Sequence, residues 1–283
     1  MSTILITGAS GLIGKALAGR MAGQHAVLCL SRKNPGVPGT TWIRGDFAAF
    51  EDLRRLDAQR VDAVIHLAAV TGGCLERDGL LVNVEGTRCL MRYLIDRGCR
   101  KFVMASSIAV VGFESPRFRP LRVPIPGDHP CLDRDGYGFS KYLMEEVTRY
   151  YQRQNEAIDV VNLRLAAIQP EAARPQGLYD LGPWALGGVS CMVLSDAVRV
   201  FALAAEAPVK PGVRILNATC AKAWSTVPTA ELLRHWWGAD VDLRHYEQPG
   251  HADDSAYDVG ALQRELGFEA TATLAAIAQA RRG

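Results

Sequence analysis

Residues 4–14 constrain this chain more than any other segment. Ile4-Leu5-Ile6 is a short apolar run, Thr7-Gly8-Ala9-Ser10-Gly11-Leu12-Ile13-Gly14 follows at once, and Lys15 to Met21 is patterned as a helix. A strand, a glycine-rich turn and a helix in that order let bare backbone approach a pyrophosphate and aim a helix N-terminus at it. Gly8, Gly11 and Gly14 follow GxxGxxG spacing rather than GxGxxG. The physical roles are alike: a tight turn, uncovered backbone beside phosphate, and close helix packing. An incidental turn is the alternative, and the flanking strand and helix argue against it. Gly8, Ser10, Gly11, Leu12, Ile13 and Gly14 are the expected dinucleotide contacts of this turn.

The first half continues in the same alternation. Strands are predicted at Ile4-Ile6, Ala26-Leu30, Thr41-Ile43, Ala63-Leu67, Lys101-Ala105 and Val160-Arg164, with helices at Lys15-Met21, Phe50-Arg55, Gly79-Arg97 and Ser140-Asn155. This pattern implies an α/β fold, a Rossmann-type doubly wound parallel sheet built from right-handed βαβ units. From about Ala166 the pattern changes. Ala172 to Gly188 is rich in Pro, Gly and Ala; helices at Asp196-Glu206, Thr229-Trp237 and Tyr257-Leu266 and a strand at Arg214-Asn217 follow. The expected division is a cofactor-binding domain over 1–165 and a smaller C-terminal substrate-binding lobe over 166–283, with some segments interleaved with the sheet.

Composition narrows the function classes. The 283 residues are 48% hydrophobic and 22% charged with a net charge of +2, ordinary values for a soluble globular protein. No dense Lys/Arg block asks for nucleic acid. No apolar run reaches membrane-spanning length, and no basic leader precedes a long apolar stretch, so neither a membrane partner nor a signal peptide is expected. Seven irregularly spaced cysteines without a CxxC pair read as reduced thiols of a cytoplasmic protein. No metal site is assigned.

An Asp or Glu at the end of the second strand would bind the free ribose hydroxyls of NAD. Here that strand ends in Ser31-Arg32-Lys33, a hydroxyl and two cations. Arginine suits a phosphate, which favours NADP over NAD, although a solvated loop pair is the simpler alternative. Asp46, followed by Phe47, either accepts a hydrogen bond from the adenine amino group or caps the helix near Phe50. Leu67, Ala68 and Ala69 end the strand from Ala63, and small residues there let a cofactor lie against backbone. His66 reads as a packed structural histidine rather than a catalyst.

Tyr137 and Lys141 are four residues apart, one turn along one helix face. Tyrosine is a poor base at its free pKa near 10, and a neighbouring ammonium favours the phenolate. Lys141 also suits the nicotinamide ribose hydroxyls, and Tyr137 then exchanges a proton with an alcohol or carbonyl. Ser107, with Ser106 in reserve, is delivered by the strand Lys101-Ala105 to hold a substrate oxygen. Asn83 sits inside a predicted helix, where Asn is unfavourable, and either bonds backbone near the site or positions a water.

Together these motifs resemble an extended short-chain dehydrogenase/reductase of the NAD-dependent epimerase/dehydratase type. The resemblance rests on Thr7 to Gly14, Asp46, His66 to Ala69, Asn83-Val84-Glu85-Gly86-Thr87, Ser106-Ser107 and Tyr137 to Lys141, with Val193 to Ala197 and Leu266-Gly267-Phe268 as weaker landmarks. It implies a nicotinamide cofactor and assigns Ser107 to the substrate oxygen, Tyr137 to acid/base work, Lys141 to the ribose and the tyrosine, and Asn83 to the active-site helix. It also implies a homodimer through Gly79-Arg97 and Ser140-Asn155. Two departures matter. Ala166-Ala167-Ile168 follows Arg164-Leu165 where many nucleotide-sugar enzymes carry an Asn. Ile108-Ala109 stands where family dehydratases carry an Asp-Glu pair, which argues against a 4,6-dehydratase. Ala105 to Phe113, Asp128-His129-Pro130 and Tyr137 are similar to uronate dehydrogenases, with Arg164 or Arg174 as candidates for a substrate carboxylate. The expected function is hydride transfer to or from a secondary alcohol or ketone of a sugar-like substrate. A sugar epimerase, with or without a nucleotide-linked substrate, is the alternative within the family. A non-enzymatic cofactor-binding regulator is the alternative outside enzymes.

Overall fold

The chain begins with β1 (Thr3–Thr7), whose four C-terminal residues are buried. The computed structural model describes residues 1–112, 118–171, 178–185 and 189–272. Phe113, Arg174 and most of the Pro/Gly/Ala-rich stretch lie outside them. Seven strands form one sheet in the order β3-β2-β1-β4-β5-β6-β9. Besides β1 they are β2 (Ala26–Ser31), β3 (Thr40–Arg44), β4 (Ala63–His66), β5 (Lys101–Ser107), β6 (Asp159–Leu165) and β9 (Gly212–Ala218). β1 pairs in parallel with β2 and β4, and β2–β3 and β4–β5 are parallel too. The chain leaves β1 toward β2 and β3, then returns to lay β4 on the other side. This doubly wound sheet reverses order between β1 and β4, and the register Thr7 to His66 brings the ends of those strands level. The crevice beyond such a reversal is where open α/β sheets bind ligands.

Two units emerge along the chain: Met1–Ser107 with Arg134–Leu163 and Val198–Ile215, and Ile108–Asp133 with Arg164–Ala197 and Leu216–Gly283. In the first, the apolar faces of the sheet strands meet α4 (Gly86–Asp96) and α5 (Gly136–Gln154). Leu5, Val64, Phe102 and Met104 pack with Leu90, Met91, Leu94 and Met144. In the second, Ile108, Ile125, Leu232, Leu233, Trp237, Tyr246 and Tyr257 form the main cluster.

Most strands run one or two residues longer than the sequence pattern indicates, because the pattern ends where small or polar residues begin. Four helices differ more, among them the one expected over Lys15-Met21, which starts three residues earlier at Leu12. α5 starts at Gly136 rather than Ser140, since Asp135 caps it by accepting from the amides of Tyr137 and Gly138 at 2.7 and 3.3 Å. The expected helix over Gly79-Arg97 is composite: α3 (Glu76–Asp78), a π-helical turn over Gly79–Glu85, then α4. The expected helix over Tyr257-Leu266 is shortened to Gly260–Leu266, because Tyr257 bridges Ile125 in extended conformation. A small parallel sheet, β7 (Ala167–Gln169) with β8 (Cys191–Val193), carried too little sequence pattern to be foreseen. Among the described residues no helix is long and apolar enough to cross a membrane. No disulfide joins any of the seven cysteines.

Candidate active site

The glycine turn follows β1 directly. Gly8 has φ +69°, and a Cβ there would lie 2.7 Å from the Ala68 amide nitrogen. Only glycine combines that backbone with so close an approach of the β4 end. The Gly11 amide donates to the Gly8 carbonyl at 3.0 Å, and Gly11 then starts α1 (Leu12–Met21) without any side-chain cap. The first amides of α1 are therefore left for an anion.

A cavity of about 380 Å³ opens over this turn. It brings together Gly8, Ser10, Gly11, Ser31, Arg32, Asp46, Phe47, Leu67, Ala68 and Ala69, ten of the residues expected at a dinucleotide. Leu12, Ile13 and Gly14 are not among its walls: Leu12 is exposed, Ile13 half-buried, and Gly14 is buried against the Gly8 backbone. Leu30, Gly45, Ala48, Val70, Thr71 and Val82 also line it, residues the sequence reading missed. A second cavity of about 300 Å³ shares Arg32, Gly45 and Asp46 and adds Arg44, Asp52 and Arg55. Ser31 donates its hydroxyl to the Lys33 carbonyl at 2.7 Å, while Arg32 is exposed. Asp46 does not cap α2 (Phe50–Leu53), whose cap position is Ala49. Its Oδ1 accepts from the Ala48 amide at 3.0 Å, closing a local turn, and its own amide donates to Asp52 at 2.8 Å.

His66 is 2% exposed between two threonine hydroxyls, Thr7 Oγ1 at 2.6 Å from Nδ1 and Thr87 Oγ1 at 3.1 Å from Nε2. Thr7 Oγ1 also accepts from the Ala68 amide at 3.3 Å. Burial, aided by the Lys141 charge, pushes the His66 pKa down to about 3. A neutral histidine that braces the turn against β4 is the result.

Asn83 lies in the π-helical turn and is 1% exposed. Its amide group is engaged with backbone and α5. Oδ1 accepts from the Val70 amide at 2.9 Å, and Nδ2 donates to the Val70 carbonyl at 3.0 Å and to Ser140 Oγ at 2.9 Å. Ser140 in turn donates to the Tyr137 carbonyl at 2.7 Å. One asparagine thus joins a cavity wall to the helix turn that carries Tyr137. The approach is tight: a Cβ on Gly136 would meet Glu76 backbone at 2.7 Å. π-Helical turns of this kind occur disproportionately at functional sites.

α5 is tied to the end of β5 by two side chains. Lys141 Nζ donates to the Ala105 carbonyl at 2.8 Å, and Ser106 Oγ donates to Glu145 at 2.6 Å, all buried. Burial pushes the Lys141 amine down to about 8, with Glu145 and Cys74 acting in the opposite sense. Its Nζ lies 5.9 Å from the Tyr137 ring centre. Tyr137 is half-buried, and Ser107, 7% exposed, ends β5. The Glu145 contact commits Ser106 to the helix. Glu145 and Ser140 were missed; the spacing of Glu145 four residues beyond Lys141 was the available signal.

Residues 4–172 match the NAD dependent epimerase/dehydratase family. The chain belongs to that family. It is 28% identical over 202 residues to UDP-glucose 4-epimerase 4 of Oryza sativa subsp. japonica, covering 64% of this chain and 53% of that protein. It is 29% identical over 188 residues to uronate dehydrogenase of Pseudomonas putida, covering 64% and 65% respectively. Among solved structures, a short-chain dehydrogenase/reductase superfamily protein from Agrobacterium tumefaciens with bound NAD superposes with a TM-score of 0.71 at 24% identity, covering 99% of this chain and 97% of that one. That similarity establishes the fold of this family member. The chain spans about half the length of the epimerases it matches.

Proposed function

We propose that this family member is an NAD(P)-dependent oxidoreductase acting on a secondary alcohol or ketone of a sugar-like substrate. The observation that carries the reading is Lys141: a buried amine, held on the Ala105 carbonyl beside Tyr137, with its pKa lowered to about 8. The cavity over the glycine turn and the uncapped start of α1 fit a dinucleotide, with Gly8, Ser10 and Gly11 at its phosphates and Leu67, Ala68 and Ala69 beneath it. When bound, the nicotinamide supplies the hydride chemistry. Ser107 holds the substrate oxygen. In oxidation Tyr137 starts as the phenolate, which the Lys141 ammonium favours, and accepts the substrate proton to become the phenol; in reduction the phenol returns it. Asn83 acts as a positioning residue, through Val70 and Ser140.

We read the cofactor as NADP. Arg32, Arg44 and Arg55 around the second cavity offer donor forks to a ribose phosphate that NAD lacks. Titration with both cofactors tests this: tighter NAD binding, or an Arg32→Ala variant with unchanged NADP affinity, contradicts it. Substrate selection is assigned to 166–283. The absence of an Asn after Arg164-Leu165 and the similarity to a uronate dehydrogenase favour a free sugar or sugar acid over a nucleotide sugar. Exposed Leu81 and Tyr150 are consistent with a homodimer through the helices over Gly79-Arg97 and Ser140-Asn155, to be measured by light scattering. We place the protein in the cytoplasm.

The deciding experiment is a panel of free and nucleotide-linked sugars with NAD and NADP, followed at the reduced-nicotinamide absorbance band. Net cofactor turnover with a free sugar or sugar acid supports the proposal. Interconversion of a sugar without net redox supports the epimerase reading, which the similarity to UDP-glucose 4-epimerases favours. Cofactor binding without turnover of any kind supports the regulator.

A further inference from the structure

The geometry points to a second site, in the unit that carries residues 216–283: we propose that His245, His251 and Asp254 bind a divalent transition-metal ion of the zinc class. Both imidazoles address the same carboxylate oxygen. His245 Nε2 lies 2.8 Å and His251 Nδ1 2.7 Å from Asp254 Oδ2, and the three ligand atoms all fall within 4.8 Å of one another. The ring centres are 4.7 Å apart. Two imidazole nitrogens and one carboxylate oxygen are the donor set that zinc-class ions take, whereas magnesium and calcium prefer oxygen shells.

The same contacts also describe two ring N–H groups donating to one oxygen, and a bound cation would replace their two protons. Metal–ligand bonds of roughly 2.0–2.2 Å in a tetrahedral arrangement separate neighbouring donors by about 3.3 Å. Each N···O distance therefore has to open by about 0.5 Å. His245 and His251 are 32% and 42% exposed on their side chains, which leaves room for that movement. The backbone that presents them is already ordered. His251 donates its amide to the Gln248 carbonyl at 3.1 Å, Asp254 donates to the His251 carbonyl at 3.1 Å, and the Asp254 carbonyl accepts from Thr229 Oγ1 at 2.7 Å. Three protein donors leave one tetrahedral position for water, an open site.

Lys222 is the counterweight. Its Nζ lies 2.6 Å from Asp254 Oδ1 and 2.9 Å from the Gly250 carbonyl. It orients the carboxylate so that Oδ2 faces the histidines. Burial opposes ionisation of Asp254, but hydrogen bonds from Lys222, His251 and His245 hold its carboxyl below the usual range. The same ammonium is a positive charge beside the cation and weakens its binding. Lys222 thus makes a distinctive prediction, because its removal strengthens a metal site and weakens a hydrogen-bonded cluster.

The test is calorimetric titration of the untagged, full-length, reduced protein with ZnCl2 at pH 7.5. One equivalent is expected to bind. His245→Asn and His251→Asn each weaken it by about tenfold or more. Lys222→Met tightens it, and MgCl2 gives no heat of binding. CoCl2 separates this site from the cysteines, because thiolate ligation adds an intense near-ultraviolet band that the His-His-Asp set lacks. Circular dichroism verifies that each variant is folded, and Lys222→Met keeps the test decisive if a histidine variant is not. No zinc binding, equal binding by wild type and both histidine variants, weaker binding by Lys222→Met, or a thiolate band at the first equivalent each overturns the proposal.

Discussion

The two ends of the central sheet each bury a lysine, and they treat it in opposite ways. Lys101 opens β5 and Lys141 reaches the other end of the same strand; they are 2% and 3% exposed. Burial is therefore equal, and the partner makes the difference. Lys101 Nζ meets the carboxylate of Asp159, the first residue of β6, at 2.7 Å. Asp159 also accepts from the Lys210 amide at 2.8 Å and pairs with Arg214 on β9. That cluster compensates its own charges and ties three strands together. Lys141 has a neutral carbonyl as its hydrogen-bond partner, and its amine falls to about 8. One end of the sheet uses a buried lysine for cohesion, and the other keeps one poised within reach of neutral pH, as the proposed proton transfer requires.

The contrast breaks most sharply with Tyr137→Phe. Turnover should fall roughly 10²- to 10⁴-fold. Dinucleotide affinity and melting temperature should not change, because the Asp135 cap bonds the Tyr137 backbone amide, not its phenol. Persistent turnover would remove the functional half of the comparison. Asp159→Ala probes the other half. It strands Lys101 in the interior and should cost about 3–5 kcal/mol in a urea unfolding measurement. A neutral outcome would mean that the cluster does not hold the sheet.

Asn83→Ala sharpens the picture at the functional end. It leaves the part-buried amide and carbonyl of Val70 and the buried Ser140 hydroxyl without their side-chain partner, at a cost of about 1–3 kcal/mol. If Asn83 positions rather than merely packs, kcat should also drop by about tenfold while KM is unchanged. A loss of stability with unaltered kcat would reduce it to a structural residue.

The smallest effect is a pH dependence. The Lys141 pKa is lowered from 10.5 to about 8 in the folded protein, so the unfolded chain binds more protons between those values. The penalty for charging the buried amine is fully present below about pH 8 and is relieved as the pH rises toward 10.5. Wild type should thus gain stability relative to Lys141→Met across that window. In the same range kcat/KM for oxidation should decline as the ammonium beside Tyr137 is lost. A constant stability difference between the two proteins would show that the amine is not perturbed.

Much of what the proposed site rests on was legible in the sequence because its parts are local. The turn Gly8 to Gly14, the Tyr137 and Lys141 spacing and Ser107 at a strand end each carry their meaning within a few residues. What escaped was relational. Lys101, Asp159 and Arg214 are far apart in the chain, and only strand order unites them. Asn83 stood out as misplaced in a helix, but its partners Val70 and Ser140 became visible only with the π-helical turn in place. Asp46 had two equal readings until the Ala48 contact removed the helix cap. The His245, His251 and Asp254 cluster had no motif to announce it, since its geometry depends on how one irregular loop turns.

Whether the cavity over the glycine turn receives a nicotinamide dinucleotide, as proposed, can be measured without knowing the substrate. Calorimetric titration of the full-length protein with NADP and with NAD is expected to give one equivalent bound, with NADP the tighter. The Tyr137→Phe variant should bind in the same way. Absence of binding by both cofactors would contradict the account at its foundation.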